Sequence, residues 1–281
     1  MQFAVFLRNM GKTRKTTFKF LRMHYLWDAL FLVLVTVLAF VLNAGVDPHE
    51  MYLPSPGTNP DVNYPYQKSE TFPTYSLYIC MAVILVALVV WPFLRRARSK
   101  AFNPWIECFN AVLSFCESVA FQNLSVKVFK IFAGRYRPHY MQRRLISGSA
   151  ERSSRRSFPS GHSSFAFSMF FWATLYLAGK LHLFSGTSGT ALAFVVSVLP
   201  SFFGSIVAVS RTRDYYHHFE DILAGMLLGA LTAIIAYFNM FPALTSELSH
   251  LSKNAILIDR QNAKSGAHKR GDEDTALLEK V

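Results

Sequence analysis

Cysteine is nearly missing from this chain. Cys80, Cys108 and Cys116 are the three among 281 residues, and each falls in an apolar stretch. Neither a disulfide framework nor a cysteine metal site is therefore expected, and small buried thiols are what remains. Acid is scarce as well. Asp and Glu number 17 against 29 Lys and Arg, the net charge is +12, and no acid precedes Asp28. A surplus of that size can signal nucleic acid. Here the cations gather at the ends of apolar segments and in one loop, which fits membrane flanks and a phosphate site, so nucleic acid is not expected as a partner. Apolar side chains are abundant instead: 52% of the residues are hydrophobic and 26 are Phe. That is not the composition of an ordinary soluble domain.

A hydrocarbon layer about 30 Å thick takes roughly 20 mostly apolar helical residues to cross. Six stretches approach that length, at about 25–43, 74–94, 105–133, 163–179, 190–209 and 221–241. The expected fold is all-α, an integral membrane bundle of six transmembrane helices. The third stretch is the least uniform, carrying Glu107, Glu117, Lys127 and Lys130. Polar groups at membrane depth face the bundle interior or an interface. Asp28, Glu107, Glu117 and Lys127 accordingly read as interhelical or snorkelling groups rather than catalytic ones.

Six crossings put both termini on one side, and Lys and Arg are more numerous there. The positive-inside rule then places the termini in the cytoplasm, although the basic 134–161 loop counts against it. Residues 1–24 read as a basic cytoplasmic flank rather than a transit peptide, and 25–242 as the membrane domain. Residues 243–281 read as a polar, disordered cytoplasmic tail. The connection 44–73, rich in Pro, Tyr and Asn, reads as an irregular outer loop.

Three polar clusters interrupt the oily pattern. In the first, Lys130 and Arg137 are seven apart, with Pro138 marking the end of the span. Guanidinium and ammonium groups hold phosphate oxygens, but two cations at a membrane surface also simply snorkel. In the second, Pro159-Ser160-Gly161-His162 opens the fourth span. Ser suits a helix start, Gly lets backbone N–H groups approach an anion, and His162 can protonate a departing alkoxide near neutral pH. An N-cap with an interfacial histidine explains it equally well. The third runs from Ser210-Arg211 to His217-His218 and Asp221. His217 and Asp221 are four apart and share a helical face, whereas His218 has Ile222 at that offset. A carboxylate that orients His217 would leave its other nitrogen free as a nucleophile, with Arg211 as a phosphate clamp; a structural ion pair is the rival. With six spans, all three clusters fall on one membrane face. A structural reading does not require that, and it favours function.

The run Lys130-x6-Arg137-Pro138, Pro159-Ser160-Gly161-His162 and Ser210-Arg211-x5-His217-x3-Asp221 resembles the three-part motif of the type 2 phosphatidic acid phosphatase superfamily. The wording Gly134-Arg135-Tyr136-Arg137-Pro138-His139 and Asp214-Tyr215-Tyr216-His217-His218 is similar to its lipid phosphate and diacylglycerol pyrophosphate phosphatases. Tyr64-Pro65-Tyr66 with Glu70-Thr71-Phe72-Pro73 matches that group more loosely. The resemblance covers about 25–240. It implies a magnesium-independent lipid phosphate phosphatase with no cofactor and no metal site, working through a phosphohistidine. His217 would attack phosphorus, Asp221 would orient it, and His162 would protonate the leaving oxygen and then activate water. Lys130, Arg137, Ser160, Gly161 and Arg211 would hold the phosphoryl oxygens. The implied substrates are phosphatidate, lysophosphatidate, diacylglycerol pyrophosphate or related lipids, met at the lumenal or extracellular face of the bilayer. Two alternatives stay open at this point, a lipid phosphotransferase and a catalytically silent scaffold on the same fold, as does homo-oligomerisation.

Overall fold

The computed structural model describes residues 12–53, 59–94, 103–146, 151–186 and 189–261. The first eleven residues of the expected flank and the last twenty of the expected tail lie outside the described residues. The helices are α1 (Lys12–Gly45), α2 (Thr74–Leu94), α3 (Pro104–Ala133), the short α4 (Tyr140–Ile146) and α5 (Glu151–Ser154), α6 (Gly161–Lys180), α7 (Ala191–Arg213), α8 (Phe219–Met240) and α9 over 253–261. No strand occurs among the described residues.

Local chemistry sets the ends that matter. Asn103 caps α3, its side-chain oxygen accepting from the N–H groups of Trp105 and Ile106, with Pro104 in the first turn. At the other end Gly134 takes a left-handed conformation, and a Cβ there would fall 1.9 Å from the His49 carbonyl oxygen. Only glycine permits that turn. Ser160 caps α6 through Ser163 N–H, and His218 with Asp221 forms a reciprocal capping box at the start of α8.

Among the described residues four helices, α1 from Tyr25 onward, α2, α7 and α8, are long and apolar enough to cross a membrane. Their outer faces expose residues such as Leu34, Val83, Phe202 and Leu227, as lipid-facing helices do. Six such helices were expected. The remaining two long helices, α3 and α6, fall short in apolarity because their polar side chains join helices inside the bundle. Ser118 Oγ donates to Ser168 O (2.9 Å), Gln122 Nε2 to Ser164 Oγ (2.6 Å) and Ser114 Oγ to Ala236 O (2.7 Å). Glu117 likewise accepts from Asn239 of α8.

α6 stands at the centre, packed on α8, α7 and α3. Its contact with α8 is unusually close. A Cβ on Gly225 would lie 2.6 Å from Ser160 O, and one on Gly229 would lie 2.3 Å from Ser164 O. The two glycines, four apart, form a small-residue seam that brings backbones together.

At the opposite end of α3 and α6, Lys180 Nζ donates to Glu107 Oε2 (2.7 Å) and to His250 O (2.6 Å). The other Glu107 oxygen accepts from the N–H and Oγ of Ser252 (2.7 and 2.8 Å). Residues 243–261 thus differ from the disordered tail expected of them: they fold back on the bundle, with Leu251 and Ala255 buried and 253–261 helical. A buried Glu–Lys pair needs further polar partners, and this segment supplies them.

Gly229→Leu should prise α6 from α8. The expected cost is about 1–3 kcal/mol of overpacking strain or more, read as a lower unfolding midpoint in detergent together with loss of activity. An unchanged midpoint would contradict the close approach.

Candidate active site

The three clusters meet at the end of the bundle where α3 stops and α6 and α8 begin. Lys130, in the last turn of α3, is nearly buried, and its Nζ donates to Arg156 O (2.5 Å). Arg137 Nε donates to Ser153 O (3.1 Å), and its guanidinium lies 5.5 Å from the centroid of the Tyr216 ring. Lys130, Arg137, Gly161, His162 and His217 line one cavity of about 580 Å³. Away from these polar groups the cavity is walled by Leu77, Met81, Leu85, Phe115 and Val119.

His217 sits just before α8 and is almost fully buried. Its Nδ1 is 3.4 Å from Ser157 Oγ and 3.7 Å from Asp221 Oδ2, the latter too long for a hydrogen bond. Ser157 Oγ donates to the same Oδ2 (2.5 Å). The serine hydroxyl therefore stands between the imidazole and the carboxylate, and the His217 Nε2 is left for chemistry. Burial pushes the His217 imidazole well below its ordinary value, and Arg137 and Lys130 push the same way against Asp221. A lowered value means that the ring is neutral, with its lone pair available, at neutral pH.

Asp221 is fully buried and heavily engaged. Its Oδ1 accepts from Arg135 Nη1 (2.9 Å), and its Oδ2 accepts from the His218 N–H (3.1 Å). His218 Nδ1 lies 3.3 Å from that same oxygen. Spacing was expected to single out His217, yet the histidine nearer to the Asp221 carboxylate is His218. What separates them is their other nitrogen. His218 Nε2 is taken up by the Asp61 carbonyl (3.0 Å), whereas the His217 ring faces the cavity. Burial lowers the His218 pKa, but the Asp221 carboxylate and the Asp61 carbonyl outweigh it and leave the value raised.

Two expected phosphate ligands are placed differently. Ser160 is buried, its Oγ accepting from Ser163, while its N–H donates to Asp221 O (2.8 Å). It ties the second cluster to the third. Arg211 is fully buried between two carboxylates, Glu70 Oε2 and Asp214 Oδ2, each at 2.8 Å. Neither Ser160 nor Arg211 lines the cavity.

Sequence reasoning gave no role to Arg135, Ser157, Asp214 or Glu70. The first three adjoin motif residues, a proximity signal that was available. Glu70 comes from the 44–73 loop, where the looser family match of Glu70-Thr71-Phe72-Pro73 was its one signal. That loop is built into the site. Tyr64 N–H donates to Pro138 O (2.9 Å), Tyr216 Oη to Gln67 O (3.1 Å), and Thr71 N–H and Oγ1 to Asp214 (2.8 and 2.6 Å). His139 packs edge-on between Tyr66 and Tyr216 and donates from Nδ1 to Tyr215 O (2.9 Å). Burial, reinforced by Arg137, pushes its pKa down to about 4, so it is a neutral strut.

The sequence has relatives among known proteins. The PAP2 superfamily model matches residues 111–244. A PA-phosphatase related-family protein of Dictyostelium discoideum is 32% identical over 247 residues, spanning 86% of this chain and 88% of its own. The chain belongs to the PAP2 superfamily. Among other relatives, lipid phosphate phosphatase 2 of Arabidopsis thaliana is 28% identical over 236 residues, 78% of each chain. A probable diacylglycerol pyrophosphate phosphatase of Schizosaccharomyces pombe is 30% identical over 202 residues, 65% of this chain and 70% of its own. No solved structure matches.

In this PAP2 chain the link from Asp221 to His217 runs through a hydroxyl. Ser157→Ala removes a hydrogen bond to a buried carboxylate, worth about 1.5–3 kcal/mol. Turnover should fall roughly 10- to 100-fold, measured as kcat on a short-chain phosphatidate. Wild-type turnover would show that His217 needs no such bridge.

Proposed function

We propose that the protein is a membrane lipid phosphate phosphatase that hydrolyses the phosphate monoester, or the pyrophosphate end, of phosphatidate, lysophosphatidate, diacylglycerol pyrophosphate or related lipids. The two-natured cavity carries this reading: Lys130, Arg137, Gly161, His162 and His217 at one end, aliphatic and aromatic walls at the other. A phosphate headgroup fits the first and the start of an acyl chain the second.

In this reading Lys130 and Arg137 take the phosphoryl oxygens, together with backbone N–H groups at the Gly161 helix start. Ser160 and Arg211 support them from behind, through the α6 cap and the outer loop. Phosphoryl transfer asks mainly for positioning and for charge to offset the phosphoryl oxygens, and fixed cations with backbone dipoles supply both. Neutral His217 attacks phosphorus through Nε2, with Asp221 and Ser157 steadying Nδ1. His162 protonates the leaving oxygen. Water then releases phosphate from the histidine, with His162 taking its proton. The family resemblance assigns no metal to these steps.

The bundle then crosses the bilayer six times, α3 and α6 included. Glu107 and Lys130 stand about 34 Å apart along α3 at 1.5 Å per residue, close to the roughly 30 Å of hydrocarbon. The termini lie in the cytoplasm and the site opens on the lumenal or extracellular face.

His217→Ala should lower phosphate release by several orders of magnitude, assayed on purified protein in micelles with chelator present throughout. Undiminished release would refute the nucleophile, and wild-type activity that needs added metal would refute the metal-free route. Orientation is tested separately. A cysteine at the exposed Lys68 of the outer loop should react with an impermeant maleimide from the lumenal side of sealed vesicles. Reaction only from the cytoplasmic side would invert the topology.

A further inference from the structure

Glu70 has a position that the three-part motif does not explain. Its Oε2 lies 2.8 Å from Arg211 Nη1 and 3.4 Å from His162 Nε2. Thr74 Oγ1, at the start of α2, lies 3.3 Å from the same imidazole nitrogen. The fold holds this carboxylate in place. Thr71, its neighbour, is tied twice to Asp214, and Asp214 in turn grips Arg211. The side chain is about one-fifth exposed, so it sits at the mouth of the site rather than on the surface.

The other charged groups around His162 are positive. Lys130 comes from α3, Arg137 from the turn after it and Arg211 from α7, while His217, ahead of α8, is neutral. Burial and these three cations oppose a proton on the His162 ring. An acid for an alkoxide leaving group must nevertheless carry one. A carboxylate beside Nε2 is the arrangement that favours it.

We propose that Glu70 is a positioning residue for the leaving-group proton: it orients the Nε2–H of His162 and offsets the charge of Arg211 next to it. This rests on the phosphatase reading with His162 as the acid. As the bond from His217 Nε2 to phosphorus forms, the bond from phosphorus to the glycerol oxygen breaks. That oxygen takes the proton from His162 Nδ1, while the Nε2–H stays directed at Glu70, which remains a carboxylate throughout. In the second half, water adds to phosphorus and gives its proton back to His162. The nitrogen–phosphorus bond breaks, leaving inorganic phosphate and neutral His217.

Leaving groups that differ in their need for a proton test this. Phosphatidate releases an alkoxide that must be protonated, whereas p-nitrophenyl phosphate releases a phenolate that is stable without it. With full-length Glu70→Gln in detergent micelles, kcat on short-chain phosphatidate should fall roughly 10- to 100-fold, part of the 10²–10⁴ typical of general acid–base catalysis. Turnover of the aryl ester should change by no more than about threefold, well under one decade of that catalysis. Retained aryl turnover also shows that the variant is folded. Losing the carboxylate should move the alkaline limb of the phosphatidate profile to lower pH, because the imidazolium loses its proton more easily. Glu70→Asp should restore part of the phosphatidate rate. Equal losses on both substrates, or an unmoved alkaline limb, would overturn the proposal. So would a lower KM on both with kcat unchanged, which would make Glu70 a mere occupant of the phosphate seat. His162→Ala separates the two levels. If its loss is also confined to phosphatidate while Glu70→Gln loses both equally, the inference fails and the reading of His162 stands. If His162→Ala loses both equally, the reading of His162 fails first.

Discussion

The site depends on how closely α6 and α8 approach each other. Gly225 and Gly229 leave no room for a Cβ against the backbone of Ser160 and Ser164. At that separation the start of α8 lies directly against the start of α6. Ser160 N–H can then donate to the Asp221 carbonyl, and Ser157 Oγ to the Asp221 carboxylate. The second and third clusters are far apart in sequence, yet these short bonds make them one unit. Hydrophobic packing alone is non-directional and would not specify that fit. The glycine seam does, because backbone meeting backbone allows little slack.

A second constraint is electrostatic. Lys130 and Arg211 are buried and Arg137 is half-buried at one end of a bundle whose outside is apolar. Buried cations are costly unless paired or hydrogen-bonded. The fold answers each in its own way. Lys130 and Arg137 donate to the carbonyls of Arg156 and Ser153 in the basic loop, and Arg211 lies between two carboxylates. The division follows from position. The two cations held by carbonyls line the cavity, whereas Arg211, set between two carboxylates, braces the 44–73 loop.

Much of this could be read from the chain. Apolar length marked five of the six long helices within a few residues at both ends, while α1 begins thirteen residues ahead of the expected stretch; the three polar clusters fell on one end of the bundle. The residues that gather around the cavity include five of the eight named beforehand: Lys130, Arg137, Gly161, His162 and His217. Asp221 stands directly behind them. The misplaced pieces share a cause, which is that long-range contacts leave no local pattern. Arg211 looks like a phosphate clamp until Glu70, distant in sequence, is seen to occupy it. Helical spacing pairs Asp221 with His217, but the capping geometry also lets it reach His218, and the Ser157 hydroxyl comes between. Residues 243–261 are polar enough to read as tail. Their folding follows from a buried Glu107 and Lys180 at the end of the bundle away from the site, whose spare oxygen and proton need partners.

The apolar wall of the cavity has a kinetic meaning. Leu77, Met81 and Leu85 come from α2, Phe115 and Val119 from α3, and Thr36 of α1 also borders the same space. In the phosphatase reading proposed above, the lipid that fills it arrives from the plane of the bilayer rather than from the aqueous phase. The quantity that governs its capture is then the number of such molecules per unit area of the leaflet. Diluting the substrate with inert lipid slows the reaction even when the total amount in suspension is unchanged. The protein thereby measures the make-up of its own membrane.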